Sequence, residues 1–342
     1  DLIILNTCAV RENAEDKVFG KIGEIKAIKK INNAIIAICG CMVQQKHIIE
    51  KIVSTYPHVD LIYGTHNCTD LLNLLAKVIP NRNRVVDVKS LPGDIKESLP
   101  SSRKCSYKAF VNISYGCDKF CSYCIVPYTR GKERSRRMED VLAECKELKE
   151  QGYIEVTLLG QNVNAYGKDL NDGSSFAKLL EEVAKLGIPR VRFLTSHTWD
   201  FKDELIDVIA KYDNIMNYIH LPVQSGSTEV LKLMCRRYTA DEYKALVDKM
   251  RTRIPGVALS TDIIVGFPNE TYEQFLETVE MVKYAKYDSA FTFIYSPRNG
   301  TPAAKIHDNV TAKEKSTRFK ELVDALQVTI EDSNKKMIGK TF

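Results

Sequence analysis

The sequence has no apolar run long enough to cross a membrane. Its longest nearly apolar stretch, residues 34–43, is about half of the ~20 residues that a membrane-spanning helix needs. It also lacks a basic segment followed by an apolar one at its start, so nothing indicates secretion. These absences predict a cytoplasmic protein that does not use a membrane.

A strong excess of charge is missing as well. The 342 residues include 49 Lys plus Arg and 44 Asp plus Glu, which gives a formal net charge of +5. This mild excess permits a nucleic-acid partner without requiring one. With 44% hydrophobic and 27% charged residues, the chain has the composition of a globular protein rather than a disordered one. Its length predicts two domains.

The two ends of the sequence suggest a longer protein. The first residue is Asp1 rather than Met, and it opens directly on an apolar run. We therefore expect a chain that begins inside its first domain. The final segment, 336–342, is expected to be the start of a further domain.

Residues 1–80 alternate short apolar runs with helical patterns. Such alternation predicts an α/β domain with an open parallel sheet and helices on its faces. Cys8 and Cys41 each follow a predicted strand, and ligands gather beyond the carboxyl ends of parallel strands, so we expect these cysteines to lie close together. The predicted strands span 2–5, 34–38 and 60–63, and the predicted helices span 11–30, 44–54 and 67–78.

A segment rich in Pro, Gly and Ser, 81–107, is predicted to be a linker. The second domain, 108–335, then shows six strand–helix units, which predict a partial (β/α)6 barrel with its chemistry at the carboxyl ends of the strands. Its predicted strands span 109–113, 155–159, 191–194, 218–221, 259–265 and 290–295. Its predicted helices span 138–151, 176–186, 203–211, 240–253, 272–284 and 311–336.

Three of the ten cysteines lie within eight residues, directly after the first barrel strand. Cys117, Cys121 and Cys124 have the spacing C-x3-C-x2-C, and three such thiolates can bind three irons of a 4Fe–4S cluster and leave the fourth iron open. These residues are the candidate catalytic and metal ligands. The alternative is structural zinc with Cys105 or His197 as a fourth ligand, although such sites usually pair two C-x-x-C-like elements. Disulfides are not expected in a reducing compartment.

This spacing after the first strand of a six-unit barrel resembles the radical S-adenosylmethionine (SAM) superfamily. The resemblance implies that SAM binds the open iron through its amino and carboxylate groups. It also implies that Tyr123 lies beside the adenine, although simple packing under the loop explains Tyr123 equally well. The other residues that the resemblance assigns to the cofactor are Gly160, Gln161, Asn162, Gln224, Ser225, Ile264 and Gly266.

Longer motifs resemble one family of that superfamily, the methylthiotransferases. They are 6–12 (Asn-Thr-Cys-Ala-Val-Arg-Glu), 40–42 (Gly-Cys-Met), 117–131, 220–227 (His-Leu-Pro-Val-Gln-Ser-Gly-Ser) and 295–298 (Tyr-Ser-Pro-Arg). The family carries an auxiliary 4Fe–4S cluster on three N-terminal cysteines and ends in an RNA-binding TRAM domain. Cys8 and Cys41 match two of the three ligands, and the third lies in a segment that this sequence does not contain. Geometry alone does not exclude Cys39, but the Gly-Cys-Met setting favours Cys41.

Local signatures indicate the substrate that this resemblance implies. The segments 9–15, 118–120 and 295–298 favour the branch that adds a methylthio group to C2 of N6-isopentenyladenosine at position 37 of tRNA. That reaction uses two SAM molecules and both clusters. The alternatives are threonylcarbamoyladenosine in tRNA, an aspartate on a ribosomal protein or, in another class, a zinc-stabilised nucleic-acid-binding protein.

A basic segment follows the cysteine loop and is a candidate contact for tRNA phosphates. The alternative is a solvated helix start with salt bridges to Glu133 and Glu139. The remaining expected partner is a low-potential electron donor such as flavodoxin or ferredoxin, and the protein is expected to be a monomer. The candidate RNA-binding residues are Arg130, Lys132, Arg134 and Arg136, with Arg137 beside them.

Overall fold

The computed structural model of the chain describes residues 1–10, 12–91, 93, 95–97 and 102–341. Parts of the predicted linker, the predicted first residue of the first helix at position 11 and the final residue lie outside the described residues. The chain forms two compact units. The N-terminal unit comprises Asp1–Pro100, Gly116–Asp118 and Cys124–Lys132, and the barrel unit comprises Ser101–Tyr115, Lys119–Tyr123 and Glu133–Phe342.

A four-stranded parallel sheet forms the N-terminal unit. Its strands are β1 (Leu2–Thr7), β2 (Ile35–Gly40), β3 (Leu61–Tyr63) and β4 (Val85–Asp87). Their order is β1-β2-β3-β4, and every neighbouring pair is parallel. The open parallel α/β arrangement predicted from the sequence is therefore confirmed. The helices are α1 (Glu12–Asn32), α2 (Lys46–Thr55), α3 (Leu71–Val78) and α4 (Val126–Arg130).

The central strand β2 is buried on both faces. Ile36 and Ile38 pack with residues of α1 and α2. Ile35 and Ala37 pack on the other face with residues of α3. This burial explains why the strand is a continuous apolar run rather than an alternating one.

The fourth strand, β4, was not predicted, because its three residues fall in the segment interpreted as a linker. Val85, Val86 and Asp87 pair with Leu61, Ile62 and Tyr63 of β3. A run this short has no periodicity of its own, and only pairing with a neighbouring strand makes it a strand.

The barrel unit contains strands and helices in alternation. The strands are β5 (Lys108–Asn112), β6 (Ser114–Tyr115), β7 (Arg134–Ser135), β8 (Glu155–Leu159), β9 (Arg190–Phe193), β10 (Tyr218–His220), β11 (Ala258–Val265) and β12 (Ser289–Ile294). The helices are α5 (Met138–Glu150), α6 (Phe176–Lys185), α7 (Asp203–Lys211), α8 (Thr228–Leu233), α9 (Ala240–Arg253), α10 (Tyr272–Ala285) and α11 (Ala312–Lys335).

The six long strands of this unit follow one another in chain order. One parallel sheet has the order β5-β8-β9 and the other β10-β11-β12. A parallel bridge between Val191 and Ile215 connects β9 to the segment that leads into β10. The predicted six-unit partial barrel is thus confirmed, with element bounds within one residue of those expected. The short pair β6 and β7 is antiparallel and was not predicted.

The two faces of the barrel strands differ in character. Alternate residues such as Val111, Val191 and Ile263 pack against the helices in one large apolar core. The opposite face, here called the inner face, carries residues such as Arg192 and Asp262. Among the described helices, none combines the length and apolar composition that a membrane span requires.

Candidate active site

Cys8 and Cys41 lie just beyond the neighbouring ends of β1 and β2. The Cys41 N–H donates to the carbonyl oxygen of Thr7 at 3.2 Å, and the Ala9 N–H donates to the Cys41 sulfur at 3.0 Å. A hydrogen bond with the Cys8 side chain, together with burial, raises the pKa of the Cys41 thiol. The two loops therefore bring these thiols together, as the strand pattern predicts.

Cys39 lies on the other side of β2. Its side chain is buried in the cluster that contains Leu61, Tyr63 and Leu74. Between the two cysteines, Gly40 has φ +101°, and a Cβ there would lie 2.3 Å from the Thr7 carbonyl oxygen. Only glycine fits this turn. The turn directs Cys41 to Cys8 and leaves Cys39 in the apolar core, a distinction that residue spacing alone did not make.

Cys117 and Cys124 are half-buried residues of the N-terminal unit. The Cys117 N–H donates to the Gly131 carbonyl oxygen at 3.2 Å. Gly116 has φ +81°, and a Cβ there would lie 2.1 Å from the Lys132 carbonyl oxygen. The chain before the cysteines and the chain after α4 therefore pass in close contact, which fixes the start of the cysteine segment.

The residue after Cys124 packs beside Cys41 within the N-terminal unit. Ile125 is buried in one cluster with Ala9 and Cys41. The positive charge of Arg130, at the end of α4, also acts on the Cys41 thiol and lowers its pKa, against the larger effects that raise it. Cys124 and the Cys8–Cys41 pair are thus neighbours within the N-terminal unit.

Cys121 belongs to the barrel unit and contacts a buried arginine. Nη1 of Arg236 lies 3.7 Å from the Cys121 sulfur, and the two residues are 4% and 7% exposed. The guanidinium also donates to the Pro222 carbonyl oxygen at 2.7 Å and to the Tyr238 hydroxyl at 3.0 Å. These partners are a thiol, a carbonyl and a hydroxyl. A buried cation held by such groups is suited to an anionic ligand.

The next two residues anchor the loop within the barrel unit, on segments that follow α8 and β12. Ser122 donates its N–H to the Met234 carbonyl oxygen at 3.0 Å and accepts from the Ala303 N–H at 2.8 Å. Tyr123 and Ile264 pack against one apolar cluster that includes Phe267. Tyr123 and Ile264, both assigned to the cofactor, therefore contact the same apolar cluster. For Tyr123, this contact is the packing expected under the alternative interpretation.

Near the end of β8, two buried polar atoms lack a hydrogen-bond partner among the described residues. A Cβ at Gly160 would lie 2.5 Å from the Ser114 hydroxyl oxygen, which is buried without a hydrogen-bond partner in the part of the chain described. Asn162 donates to Asp200 at 2.7 Å, while its own buried Oδ1 lacks a partner among the described residues. Gln161 is half-buried between Gly160 and Asn162. Buried polar atoms of this kind are costly unless a ligand satisfies them.

Asp200 is the centre of a charged network that the sequence did not reveal. Its side chain is 2% exposed, and it pairs with Lys119 of the cysteine loop at 2.6 Å and with Lys168. Burial alone would raise the pKa of Asp200, but the hydrogen bonds from these lysines and Asn162 outweigh burial and hold the pKa below its usual value. This network ties the cysteine loop to the ends of β8 and β9.

His197 lies at the end of β9 with one ring nitrogen unsatisfied. Its Nδ1 accepts from the Trp199 N–H at 3.2 Å, which assigns the hydrogen of the neutral ring to Nε2. Nε2 is buried without a partner among the described residues. Burial, reinforced by the charge of Arg236, lowers the pKa of His197 to about 2. His197 is therefore a neutral donor available to a ligand.

The one tryptophan of the chain stands beside this histidine. Trp199 is 44% exposed. The Lys119 ammonium lies 4.4 Å from the centre of its indole ring, and the Arg237 guanidinium lies 4.8 Å from it. Cation–π contact therefore holds the indole at the ends of the strands.

Gly266 serves helix packing. It has φ +67°, and a Cβ there would lie 2.4 Å from Cγ of Lys315 on α11. Its N–H donates to Glu270 at 2.8 Å, and Glu270 also accepts from Arg318 at 3.0 Å. The approach of α11 thus explains the glycine at this position, and the assignment of Gly266 to the adenine stays a prediction.

Gln224 and Ser225 follow β10. The Gln224 backbone forms a parallel bridge with Ile263. Ser225 is fully buried, and its hydroxyl bonds to that of Thr278 on α10 at 3.2 Å. The structure thus explains the Ser225 hydroxyl by its contact with α10, and its assignment to the cofactor stays a prediction.

The basic segment divides into exposed and buried residues. Lys132 is exposed, and Arg130 and Arg134 are partly buried. Arg136 is 8% exposed and pairs with Glu144 at 2.6 Å, so its assignment as an RNA contact is not supported. Arg137 is exposed and lies 3.8 Å from Glu139, one of the salt bridges expected under the alternative interpretation.

The structural-zinc alternative requires four ligands at about 2.0–2.3 Å from one ion. Among the described residues, no three His, Cys, Asp or Glu side chains are grouped as ligands of a single ion. In addition, the proposed fourth ligand His197 already uses Nδ1 to accept from Trp199.

Two models of known families match the chain. The radical SAM superfamily matches residues 111–282, half of the chain, and the Uncharacterized protein family UPF0004 matches residues 1–64. The two matches fall on the barrel strands and on the sheet that carries Cys8 and Cys41, respectively.

Curated relatives match nearly the whole chain and carry the name tRNA-2-methylthio-N(6)-dimethylallyladenosine synthase. The relative from Anoxybacillus flavithermus is 56% identical over 324 residues, which are 94% of this chain and 62% of the relative. The relative from Bacillus subtilis is 55% identical, with 94% and 64% covered. The relative from Bacillus cytotoxicus is 52% identical, with 99% and 67% covered. The chain thus spans a little under two thirds of the first of these proteins.

Solved structures share the fold at low identity. The radical S-adenosylmethionine methyltransferase TsrM from Kitasatospora setae has a TM-score of 0.66 at 17% identity, covering 89% of this chain and 64% of that one. The cobalamin-dependent S-adenosylmethionine radical enzyme OxsB has a TM-score of 0.60 at 13% identity, covering 97% and 48%. These structures share the fold, whereas the family model and the curated relatives show that the chain belongs to the radical SAM superfamily and, within it, to the family of the tRNA-2-methylthio-N(6)-dimethylallyladenosine synthases.

Proposed function

We propose that the complete protein adds a methylthio group to C2 of N6-isopentenyladenosine at position 37 of tRNA. The observation that carries this proposal is the near-complete match to relatives of that name at 51–56% identity. The cysteine pattern and the buried polar atoms at the strand ends support it.

The proposal includes two 4Fe–4S clusters. Cys117, Cys121 and Cys124 would hold the one that binds SAM, and Cys8 and Cys41 would hold the auxiliary one with a third ligand from outside these residues. When bound, the first cluster would supply the electron that cleaves SAM into a carbon radical able to remove hydrogen, and the auxiliary cluster would supply the sulfur atom for transfer.

The chain's own residues would bind and orient the cofactor. Arg236 offers a buried positive charge to the SAM carboxylate beside Cys121. Asn162 Oδ1 offers an acceptor and His197 Nε2 a donor, and both are buried without protein partners in the described chain. The apolar cluster under Tyr123 would exclude water from the reacting atoms.

We further propose tRNA as the macromolecular substrate, with Lys132, Arg130 and Arg134 as phosphate contacts. A low-potential electron donor such as flavodoxin or ferredoxin, a monomeric state and a cytoplasmic location complete the proposal. In domain terms, we propose an N-terminal domain over 1–80, a linker over 81–107, a radical SAM barrel over 108–335 and the start of a TRAM domain over 336–342.

The test is mass spectrometry of tRNA nucleosides from a deletion strain, complemented with the complete gene or with its Cys121→Ala variant. We expect the methylthio form of isopentenyladenosine to disappear and to return only with the unaltered gene. Loss of the methylthio form of threonylcarbamoyladenosine instead would assign the substrate of the related branch. Unchanged tRNA nucleosides would overturn the tRNA proposal.

A further inference from the structure

A polar and aromatic cluster lies on the inner face of the barrel unit. His220 of β10 pairs in register with Ser260 of β11, and Asp262 of β11 pairs with Phe291 of β12. Register partners in parallel strands share a face, as do residues two apart in one strand. The four side chains therefore lie together on the face opposite the helices. We call them the inner cluster.

Contacts within the inner cluster orient its polar groups. Nδ1 of His220 lies 2.9 Å from the Ser260 hydroxyl oxygen, and its Nε2 lies 3.5 Å from Oδ2 of Asp262. The His220 and Phe291 rings meet edge to face, with centres 6.1 Å apart. Phe291 is 53% exposed, and the Asp262 side chain is 29% exposed. Barrel interiors are usually filled with branched aliphatic residues. The accessible Asp262 carboxylate and Phe291 ring therefore indicate a surface that binds a ligand.

The inner cluster adjoins the proposed cofactor site. Ile264, two residues after Asp262 on the same face of β11, packs against the cluster that also contacts Tyr123 of the cysteine loop. The rise of about 3.3 Å per strand residue places Asp262 roughly 7 Å below that level. A planar group bound at the inner cluster would therefore lie within reach of a cofactor at the strand ends.

We propose that the inner cluster receives the target adenine of the tRNA. Phe291 stacks on the base, and Asp262 accepts a hydrogen bond from the exocyclic N6–H, the donor of an N6-substituted adenine. His220 acts as a positioning residue that holds the Asp262 carboxylate. This inference rests on the proposed function, since it assigns residues to the substrate of that reaction.

The test uses the complete protein and an anticodon stem–loop that carries isopentenyladenosine. We expect Phe291→Leu to raise KM for the stem–loop about tenfold, as the loss of one stacked base predicts. We expect Phe291→Tyr, which keeps an aromatic face, to remain within about twofold. Asp262→Asn should lower the amount of methylthiolated product formed per SAM cleaved. Asp203→Asn, an exposed carboxylate on α7, is the matched control.

A second readout needs no cofactor. Filter binding of the isopentenyladenosine stem–loop to the cofactor-free protein should show an affinity about tenfold weaker in Phe291→Leu than in Phe291→Tyr. Unchanged affinity and KM in Phe291→Leu would overturn the inference and leave the proposed function intact. A parallel fall in SAM cleavage and product in Asp262→Asn would assign the inner cluster to the cofactor and also overturn the inference. If the unaltered protein neither binds nor modifies the stem–loop, the proposed function itself fails.

Discussion

Arg236 and Cys121 meet in the interior of the barrel unit, with Nη1 3.7 Å from the sulfur. The guanidinium reaches this sulfur while it also bonds to the Pro222 carbonyl and the Tyr238 hydroxyl. These contacts fix the planar guanidinium, so that its positive charge lies next to Cys121, a proposed iron ligand. Substitutions that break this contact or similar buried contacts should therefore have measurable effects.

Arg236→Lys should reduce SAM cleavage at least about tenfold, because an ammonium has no planar fork with which to contact all three groups at once. The measurement is 5′-deoxyadenosine released by the reduced, reconstituted protein, together with iron per polypeptide. Arg237→Lys, at the exposed neighbouring residue, is the control. Equal SAM cleavage by Arg236→Lys and Arg237→Lys would show that the planar guanidinium of Arg236 is not needed.

Asp200→Asn should destabilise the barrel unit by about 2–4 kcal/mol, because it leaves the largely buried Lys119 without its carboxylate. The pKa of Asp200 is lowered, so this contribution is present above the unfolded-state value of about 3.9 and is lost as the pH falls through the folded-state pKa. Urea unfolding at pH 7 and pH 3 measures it. The control Asp203→Asn, with a side chain 60% exposed, should change the free energy of unfolding much less at either pH. If Asp200→Asn lowered the free energy of unfolding by the same amount at pH 7 and at pH 3, the lowered pKa of Asp200 would be contradicted.

Gly40→Ala should separate Cys41 from Cys8. The added Cβ would lie 2.3 Å from the Thr7 carbonyl oxygen at a φ of +101°, so the turn must shift. We expect the complete protein to lose about four of about eight irons, the content of one cluster. Gly20→Ala in α1, where nothing lies within 4 Å of the new Cβ, should keep them all. If Gly40→Ala retained both clusters, the auxiliary cluster would not depend on the turn at Gly40.

Cys41→Ala and Cys39→Ala should differ in iron content. Cys41 contacts Cys8, whereas Cys39 is packed in the apolar core on the other side of β2. In the complete protein we expect only Cys41→Ala to lose about four irons. If the third auxiliary ligand comes from outside these 342 residues, as proposed above, the 342-residue chain should hold only the cluster on Cys117, Cys121 and Cys124 stably. Two intact clusters in this chain would make Cys39 the substitute ligand.

Lys132→Ala and Arg136→Ala should act on different properties. Lys132 is exposed, and its loss should weaken tRNA binding and reduce the salt dependence of the affinity by about one unit of slope. Arg136 is buried against Glu144, and its loss should lower the free energy of unfolding while the salt slope stays unchanged. Filter binding over a range of salt concentrations and urea unfolding test both. An altered slope in Arg136→Ala would restore it as an RNA contact.

The strands and helices were predictable because each long element carries its own apolar period. The bounds of α9, α10 and α11 also follow from Thr–Glu or Thr–Gln capping boxes at Thr239, Thr271 and Thr311. The segments β4 and β6 were missed because such short runs have no period and are strands only through their partners.

Site residues could be predicted only where they lie close together in the sequence. Cys117, Cys121 and Cys124 fall within eight residues, so their pattern is visible without the structure. Arg236 and Asp200 are different, because each looks like an ordinary surface charge in its own segment. Their burial arises when distant segments meet, as Lys119 does with Asp200. The same holds for Ser225, whose hydroxyl finds its partner 53 residues away.

Trp199 gives the molecule an optical reporter at a useful place. It is the single indole of these 342 residues, and it stands half-exposed beside His197 and between two cationic side chains at the strand ends. Its emission therefore depends on the same loop that carries Lys119 and Cys121. Titration with cofactor or RNA can be followed through this one fluorophore, without a label and without turnover.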